Sequence, residues 1–421
     1  MLCICRDTRK HDQVLEDSTY YSNIQATEYV RLRIGFVKRL VRMLLQMKML
    51  CAKTKIKKKS MQERNTNYLL LEVYKKNIVQ LPFNMVKTKK FILVKHFVGE
   101  PKENDFQLVE EDLPALRDRE ILCEAVWLSV DPYMRPFSNN FPTGVTMTGT
   151  QVAKVTESCH PEYKVGMHVV GDFGWQTRAV VNADDPGASL WLEKPYIIPD
   201  FSGLPLSLAL GVLGMPGNTA YFGFLEICDP KPGDVVVVSG AAGAVGSHVG
   251  QIAQLKGCKV IGFTGSDEKV KWLVDELRFD AAFNYKTTDV VEALKQSTPE
   301  GVDCYFDNVG GALSSAVISQ MRFRGRISVC GSISSYNADI SKLPQAPDIQ
   351  RTVLRKELKM EGFSVKYWND RWDEGIKQNL QWIKEGKLVY RETVTEGFEN
   401  MTKAFIGMLR GENIGKAVVK V

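Results

Sequence analysis

Asp234-Val-Val-Val-Val-Ser-Gly-Ala-Ala-Gly-Ala-Val-Gly246 decides how this chain folds. Four consecutive valines, Val235 to Val238, predict a strand buried on both faces, as in a parallel sheet. Small residues follow, and a helical pattern opens at Gly246 with Val249, Ile252, Ala253 and Leu255 toward one side. Strand, glycine turn and helix N-terminus offer bare N–H groups and the positive end of a helix dipole to a pyrophosphate. A dinucleotide suits that arrangement. The turn departs from the usual G-x-G-x-x-G spacing, because Ala241 stands where the first glycine is expected. A strand–turn–helix corner also needs glycines for steric reasons alone, so the surrounding pattern must carry the reading.

That pattern alternates. Lys259-Val-Ile-Gly-Phe263 predicts a second strand, at the distance a βαβ unit demands. Further strands are expected over Phe279–Tyr285, Val302–Asp307 and Arg326–Cys330, with helical patterns between them, so the fold class is α/β with a doubly wound parallel sheet. The second strand ends in Thr264-Gly265-Ser266, without the acid that would hold a ribose 2′-hydroxyl. Asp267 and Glu268 lie just beyond, on the next helix. Lys269 suits a 2′-phosphate, which favours NADP(H). The alternative is that Ser266 caps the helix and Lys269 is a solvated first-turn residue.

A chain of 421 residues has room for two or three domains. No run is long and apolar enough to span a bilayer. Nine scattered cysteines form no CxxC pair and read as free thiols in a reducing cytoplasm. Cys159-His160 reads as a surface loop, and His96, His168 and His248 as structural residues. The net charge of +6 is unevenly spread: residues 1–84 carry 17 Lys and Arg against 7 Asp and Glu, leaving the remainder mildly acidic. An acidic remainder does not suit a nucleic-acid surface. Residues 1–84 form a basic leader. Its amphipathic stretch from Tyr29 could lie on anionic lipid or bind a partner. Asp7, Asp12, Glu16 and Asp17 sit badly in a transit peptide. A disordered or spurious extension is preferred, since Met85-Val-Lys-Thr-Lys-Lys-Phe opens the first clear strand pattern.

From Met85 to Val421 the chain resembles the prostaglandin reductases (leukotriene B4 12-hydroxydehydrogenases), zinc-free members of the medium-chain reductases. Ser129-Val-Asp-Pro-Tyr-Met-Arg-Pro136, Gly214-Met-Pro-Gly-Asn-Thr-Ala-Tyr-Phe-Gly223 and Ala241-Ala-Gly-Ala-Val-Gly246 carry the resemblance. Gly265-Ser-Asp-Glu-Lys269, Phe283-Asn-Tyr-Lys286 and Asp303-Cys-Tyr-Phe-Asp-Asn-Val-Gly-Gly311 continue it. Cys330-Gly-Ser-Ile-Ser-Ser-Tyr336, Glu396-Gly-Phe-Glu-Asn-Met401 and Asn413-Ile-Gly-Lys416 complete it. The resemblance implies a Rossmann-type sheet, residues 206–365, inserted in a β-rich GroES-like substrate domain of residues 85–205 and 366–421. The local pattern agrees: residues 85–205 are rich in strands and turns, and Lys416–Val421 reads as a closing strand.

The resemblance also implies the chemistry. NADPH reduces the C=C bond of α,β-unsaturated ketones and aldehydes such as 15-oxo-prostaglandins and 2-alkenals, with hydride going to the β-carbon; a leukotriene alcohol is a further expected substrate. Zinc-dependent relatives carry Gly-His-Glu where this chain has Gly149-Thr150-Gln151, so no metal is expected. Tyr336 is the best donor to the enolate oxygen. It ends the loop after the last predicted strand of the sheet, where ligands collect; otherwise it packs on cofactor or core. Tyr133 is a second candidate on the substrate wall. Arg135 suits a substrate carboxylate or else a structural salt bridge. Gly243, Ala244, Val245 and Gly246 are expected at the pyrophosphate, with Lys269 and Tyr285 beside the 2′-phosphate and adenosine. Along the ribose and nicotinamide the family places Asn308, then Cys330, Gly331, Ser332, Ile333, Ser334, Ser335 and Tyr336, then Phe363, Ser364, Val365 and Asn413. Asn308 and Asn413 are equally readable as turn residues, and Ser364 departs from the commoner apolar triplet. A homodimer joined at the edge of the nucleotide domain is a family expectation. The competing readings are a related quinone reductase and a non-catalytic nucleotide- or RNA-binding protein.

Overall fold

The computed structural model describes residues 86–185, 192–339, 342 and 349–421. The leader, and every expectation about it, lies outside them. The described residues fall within one unit, Met85–Val421.

The chain begins with an antiparallel pair, β1 (Lys87–Leu93) and β2 (Phe106–Asp112). Next come β3 (Glu120–Ser129), the short helix α1 (Met134–Ser138), β4 (Gln151–Ser158), β5 (His168–Gly171), β6 (Arg178–Asn182) and β7 (Tyr196–Ile197). After helix α2 (Met215–Leu225) the pattern alternates: β8 (Val235–Ser239), α3 (Gly246–Leu255), β9 (Lys259–Thr264), α4 (Asp267–Lys271) and β10 (Ala281–Asn284). It continues with α5 (Val290–Ser297), β11 (Val302–Asp307), α6 (Gly311–Ser319), β12 (Met321–Val329), α7 (Gln350–Lys356) and β13 (Lys359–Gly362). Helix α8 (Trp372–Lys384), β14 (Glu392–Glu396), α9 (Met401–Leu409) and β15 (Lys416–Lys420) end the chain.

Strands β8 to β13 make one six-stranded sheet in the order β10-β9-β8-β11-β12-β13, parallel throughout. The four valines are explained by its two faces. Val236 and Val238 join Val249, Ile252 and Phe306 on one face, and Val237 joins Ile261, Phe263, Leu294 and Val317 on the other. Successive strand residues point to opposite faces, and here both are covered. Full burial of one such side chain contributes about 1.5–3 kcal/mol. Leu255 departs from the expected helix face: it is 37% exposed, while Val249, Ile252 and Ala253 are fully buried. Strand β12 starts five residues before the expected Arg326, β10 is shorter than Phe279–Tyr285, and β13 follows as a sixth strand that the pattern did not announce. Tyr336 therefore follows the last strand but one.

The chain runs outward from β8 to β10, returns to β11, and runs outward again to β13. The order reverses between β8 and β11, and open α/β sheets bind ligands at that switch point, beyond the carboxyl ends of the strands. The second sheet follows the order β14-β15-β3-β4-β5-β7, with β6 also on β3. The return strand β15 lies between β14, parallel, and β3, antiparallel. Lys416 on β15 is buried, and its Nζ donates to Val130 O at 2.7 Å and to Asp131 Oδ1 at 2.9 Å. Ser129 Oγ donates to the other oxygen of Asp131. Breaking such a buried pair leaves an uncompensated charge, so the chain end is pinned two residues before Tyr133.

The six cysteines among the described residues are free thiols. Cys159 is exposed, but His160 is buried with its Nε2 at 3.1 Å from Asp184. His96 meets Phe141 O at 2.8 Å, and His248 is buried in α3.

Candidate active site at the carboxyl edge of the parallel sheet

All six parallel strands end at one edge, so their following segments converge there: Gly240–Gly246, Gly265–Lys269, Tyr285 and Lys286, Asn308–Gly311, Cys330–Asn337, and Phe363–Val365. Nearly every cofactor residue expected from the sequence lies in these segments.

The glycine turn is shaped by close approach. A side chain at Gly246 would collide with the Gly240 carbonyl and lie 2.9 Å from Ala241 Cα. At Gly243 a methyl would meet only Gly240 O, at 3.2 Å. Gly243 pairs in parallel with Gly415, which engages the N–H of Ala244; among the described residues the N–H groups of Val245 and Gly246 meet no protein acceptor. Those donors open helix α3, which fits the turn for a pyrophosphate. Gly415 N donates to Ala242 O at 2.8 Å and brings the C-terminal turn against this loop. Asn413 Nδ2 closes that turn on Gly415 O at 2.8 Å, so its amide has a turn role in this structure.

Strand β9 ends at Thr264 and is followed by Gly265-Ser266, with no carboxylate, and Asp267 just beyond is already engaged. Asn284 Nδ2 donates to Asp267 Oδ1 at 2.8 Å. Ser266 caps α4, accepting from Lys269 N at 3.4 Å. Lys269 is not solvated: it is buried, and its Nζ donates to Gly411 O at 2.6 Å. Burial, and then the nearby charge of Lys286, pull its pKa below the usual lysine value. Lys286 is a cation that sequence reasoning missed. A Cβ built on Gly265 would lie 3.0 Å from the Tyr285 hydroxyl and 3.5 Å from Lys286 Cε. Two lysines and a phenol thus stand about the strand end, with Asp267 engaged by Asn284 and Glu268 facing Arg391. This donor set fits a 2′-phosphate. The signal for Lys286 was its place directly after Tyr285 at a strand end.

At the switch point, Asn308 Nδ2 donates to Ser239 O at 2.7 Å and its N–H donates to Ser239 Oγ at 2.9 Å. Asp307, also missed, accepts from Ser239 Oγ at 3.0 Å, Tyr305 Oη at 2.8 Å, Val309 N at 3.0 Å and Gly310 N at 2.9 Å. This buried carboxylate locks the ends of β8 and β11 together. The ring of Phe363 occupies the space over Gly223 and packs edge-on to Phe306. Val365 is buried. Side chains at both positions serve the core, so any cofactor contact there falls to the backbone and to Ser364.

The loop after β12 folds tightly. Ser334 N and Oγ donate to Val309 O at 3.1 and 2.7 Å, and Ser335 Oγ donates to Ser332 O at 2.9 Å. Tyr336 Oη accepts from Ser332 N at 3.3 Å. The phenol keeps its own proton to donate. Burial raises its pKa, against the smaller pull of the Ser332 N–H. Burial also pushes the Cys330 thiol up to about 12, so it is no thiolate at neutral pH.

In the β-rich half, Tyr133 sits at the start of α1 with its ring edge-on to Phe137 at 6.1 Å. Arg135 is buried. Its Nε donates to Gly99 O at 3.2 Å and Asn337 Oδ1 at 3.1 Å, and its Nη2 to Gly99 O at 2.8 Å. Its partners are neutral carbonyls, not the carboxylate of a salt bridge. Thr150 Oγ1 donates to Asp172 Oδ1 at 2.5 Å and Gln151 Nε2 to Gly174 O at 2.7 Å. Two of the three residues at the Gly149-Thr150-Gln151 position are thus structural fixtures.

Two family profiles match the chain: one described as the N-terminal domain of oxidoreductase, over residues 89–188, and one as zinc-binding dehydrogenase, over residues 244–384. The prostaglandin reductase 1 of Bos taurus is 51% identical over 340 residues, 80% of this chain and 100% of that protein. The chain belongs to the prostaglandin reductase family of the medium-chain reductases. The NADP(+)-dependent 2-alkenal reductase of Nicotiana tabacum is 40% identical over 80% of this chain and 98% of its own length. CurA of Vibrio vulnificus, solved in complex with NADPH, superposes with a TM-score of 0.72 at 40% identity, covering 79% of this chain and 99% of that one. These relatives match the expected architecture of a parallel nucleotide sheet beside a β-rich substrate module.

Proposed function

We propose that the protein is an NADPH-dependent reductase of the C=C bond of α,β-unsaturated ketones and aldehydes, with 15-oxo-prostaglandins and 2-alkenals as its substrate classes. The observation that carries this reading is Tyr336: a half-buried phenol at the sheet's carboxyl edge, oriented by the Ser332 N–H and retaining a proton to give. The names of the prostaglandin and 2-alkenal reductase relatives support the substrate class. Bound NADPH supplies the hydride, which adds to the β-carbon of the substrate. The chain's part is to hold and polarise. Val245 and Gly246 offer N–H groups to the pyrophosphate, while Lys269, Lys286 and Tyr285 receive the 2′-phosphate. Tyr336 donates to the carbonyl oxygen as negative charge develops there. The α-carbon then takes a proton, from the phenol or through it. Tyr133 lines the substrate wall. Arg135, buried with its Nε and Nη2 on Gly99 O and Asn337 Oδ1, is not presented to a substrate carboxylate.

The partner is a second copy. Strand β13 ends the six-stranded sheet, all four of its residues are exposed, and Phe323 and Leu354 nearby are 61% and 80% exposed. An open edge is a template for pairing, so a homodimer through β13 follows. The setting is a reducing cytoplasm, a reading supported by the six free thiols of the described residues, and the acidic balance beyond residue 84 speaks against a nucleic-acid partner; among the described residues no helix is long and apolar enough to cross a membrane. NADPH consumption with 2-nonenal, a 15-oxo-prostaglandin and a quinone tests the function. Turnover of the first two is expected, and activity confined to the quinone would overturn it.

A further inference from the structure

Arg135 poses a problem of physical chemistry. It is only 4% exposed, and burial lowers its pKa. Among the described residues no carboxylate lies within ion-pair distance; it rests on the carbonyl of Gly99, the amide oxygen of Asn337 and the Phe97 ring, 5.3 Å from the guanidinium. Asp105, buried nearby, attracts the charge without bonding to it, but the burial effect is the larger, and desolvating a cation whose direct partners are neutral is costly. An apolar side chain would pack the position more cheaply.

What the arginine gains is a connection. Asn337 directly follows Tyr336, and Arg135 lies two residues after Tyr133. The bond therefore joins the segment carrying one candidate tyrosine to the segment carrying the other, across 202 residues of sequence. Among the described residues, the other bonds of the Tyr336 loop run within it or to the nucleotide half, to Asp307 O, Asn308 O and Val309 O. The arginine itself is braced: Asn139 Oδ1 accepts from Phe97 N at 3.1 Å, and Arg410 pairs with Glu100 at 2.8 Å, holding the turn that contains Gly99.

We infer that Arg135 and Asn337 are a positioning pair, which fixes the Tyr336 phenol in register with the substrate wall through their bond between the two halves of the molecule. This rests on the proposed role of Tyr336. The phenol belongs to the nucleotide half and the wall to the other. A reacting group displaced by about 1 Å can lose two orders of magnitude in rate, so a bond between the halves at this point governs the chemistry without touching the substrate.

The test is a double-mutant cycle on the full chain. Asn337→Ala is expected to lower kcat for 2-nonenal roughly tenfold, with KM for the enal, the NADPH Kd from fluorescence titration and Tm all near wild type. Asn337→Asp, which turns the bond into an ion pair with Arg135, is expected to retain most of kcat. In a Tyr336→Phe background, Asn337→Ala should cost less than about twofold, because the group it positions is gone. An Asn337→Ala enzyme with wild-type kcat would overturn the proposal. So would an equal loss in both backgrounds, or an Asn337→Asp variant as slow as Asn337→Ala. Full turnover by Tyr336→Phe alone would instead remove the phenol from the mechanism, a failure of the functional reading that the cycle reports separately.

Discussion

The turn after β8 and the loop after β12 stand at the same edge of one sheet, yet they are held by opposite means. Backbone contact shapes the first: Gly246 is close-packed on Gly240 and Ala241, and the N–H groups of Val245 and Gly246 meet no protein acceptor among the described residues. Side chains shape the second: serine hydroxyls and a distant arginine hold the loop, and the phenol is turned by a backbone N–H of its own loop. The first is suited to any pyrophosphate. In the proposed mechanism the second makes the site selective for a developing oxyanion. Binding strength and chemical identity are thus assigned to two loops of unlike construction.

The sharpest break of this contrast is steric. Gly246→Val places a branched side chain against the Gly240 carbonyl, and NADPH affinity by fluorescence titration should fall at least a hundredfold, in line with a backbone that must shift. Next, Tyr336→Phe should leave that affinity unchanged and lower kcat for enones about a hundredfold, the typical cost of one oxyanion donor. If both variants lost affinity equally, the two loops would not divide the work. A smaller effect belongs to the 2′-phosphate. Lys286→Ala should weaken NADPH roughly tenfold or more while leaving NADH unaltered, as the loss of a charge-assisted contact predicts. The smallest effect on catalysis concerns the helix behind the glycine turn. Burial holds His248 at a pKa of about 4, below its ordinary 6.5. The fold favours the neutral ring, so its contribution is full above about pH 6.5 and is lost as pH falls toward 4, by roughly 3 kcal/mol in all. His248→Gln should flatten the acid limb of Tm against pH without changing kcat at neutral pH. An unchanged acid limb would assign acid loss to other groups.

The same division explains what could be read from the sequence. Val235 to Val238 and Gly243 to Gly246 were legible because their requirements are local: a strand covered on both faces and a turn with no room for a side chain at Gly246. Strand β13 was not, because Lys359-Met-Glu-Gly362 is an exposed edge and carries no apolar run. Leu255 was misplaced because the pattern counted apolar residues without the turn of the helix. Lys269 was legible as a cation but not as a buried one, since its acceptor, Gly411, lies 142 residues away. Arg135 was expected at a substrate or a salt bridge. Only the folded chain shows it at Asn337, a contact that no local rule contains.

The central claim is that a reduced, 2′-phosphorylated nicotinamide gives its hydride to the β-carbon of a polarised alkene. NADPH deuterated on the nicotinamide, incubated with 2-nonenal and the full chain, tests it directly. The account predicts saturated nonanal with deuterium on the β-carbon, and no comparable reaction with NADH. An allylic alcohol with deuterium on the former carbonyl carbon, or no consumption of NADPH, would contradict it.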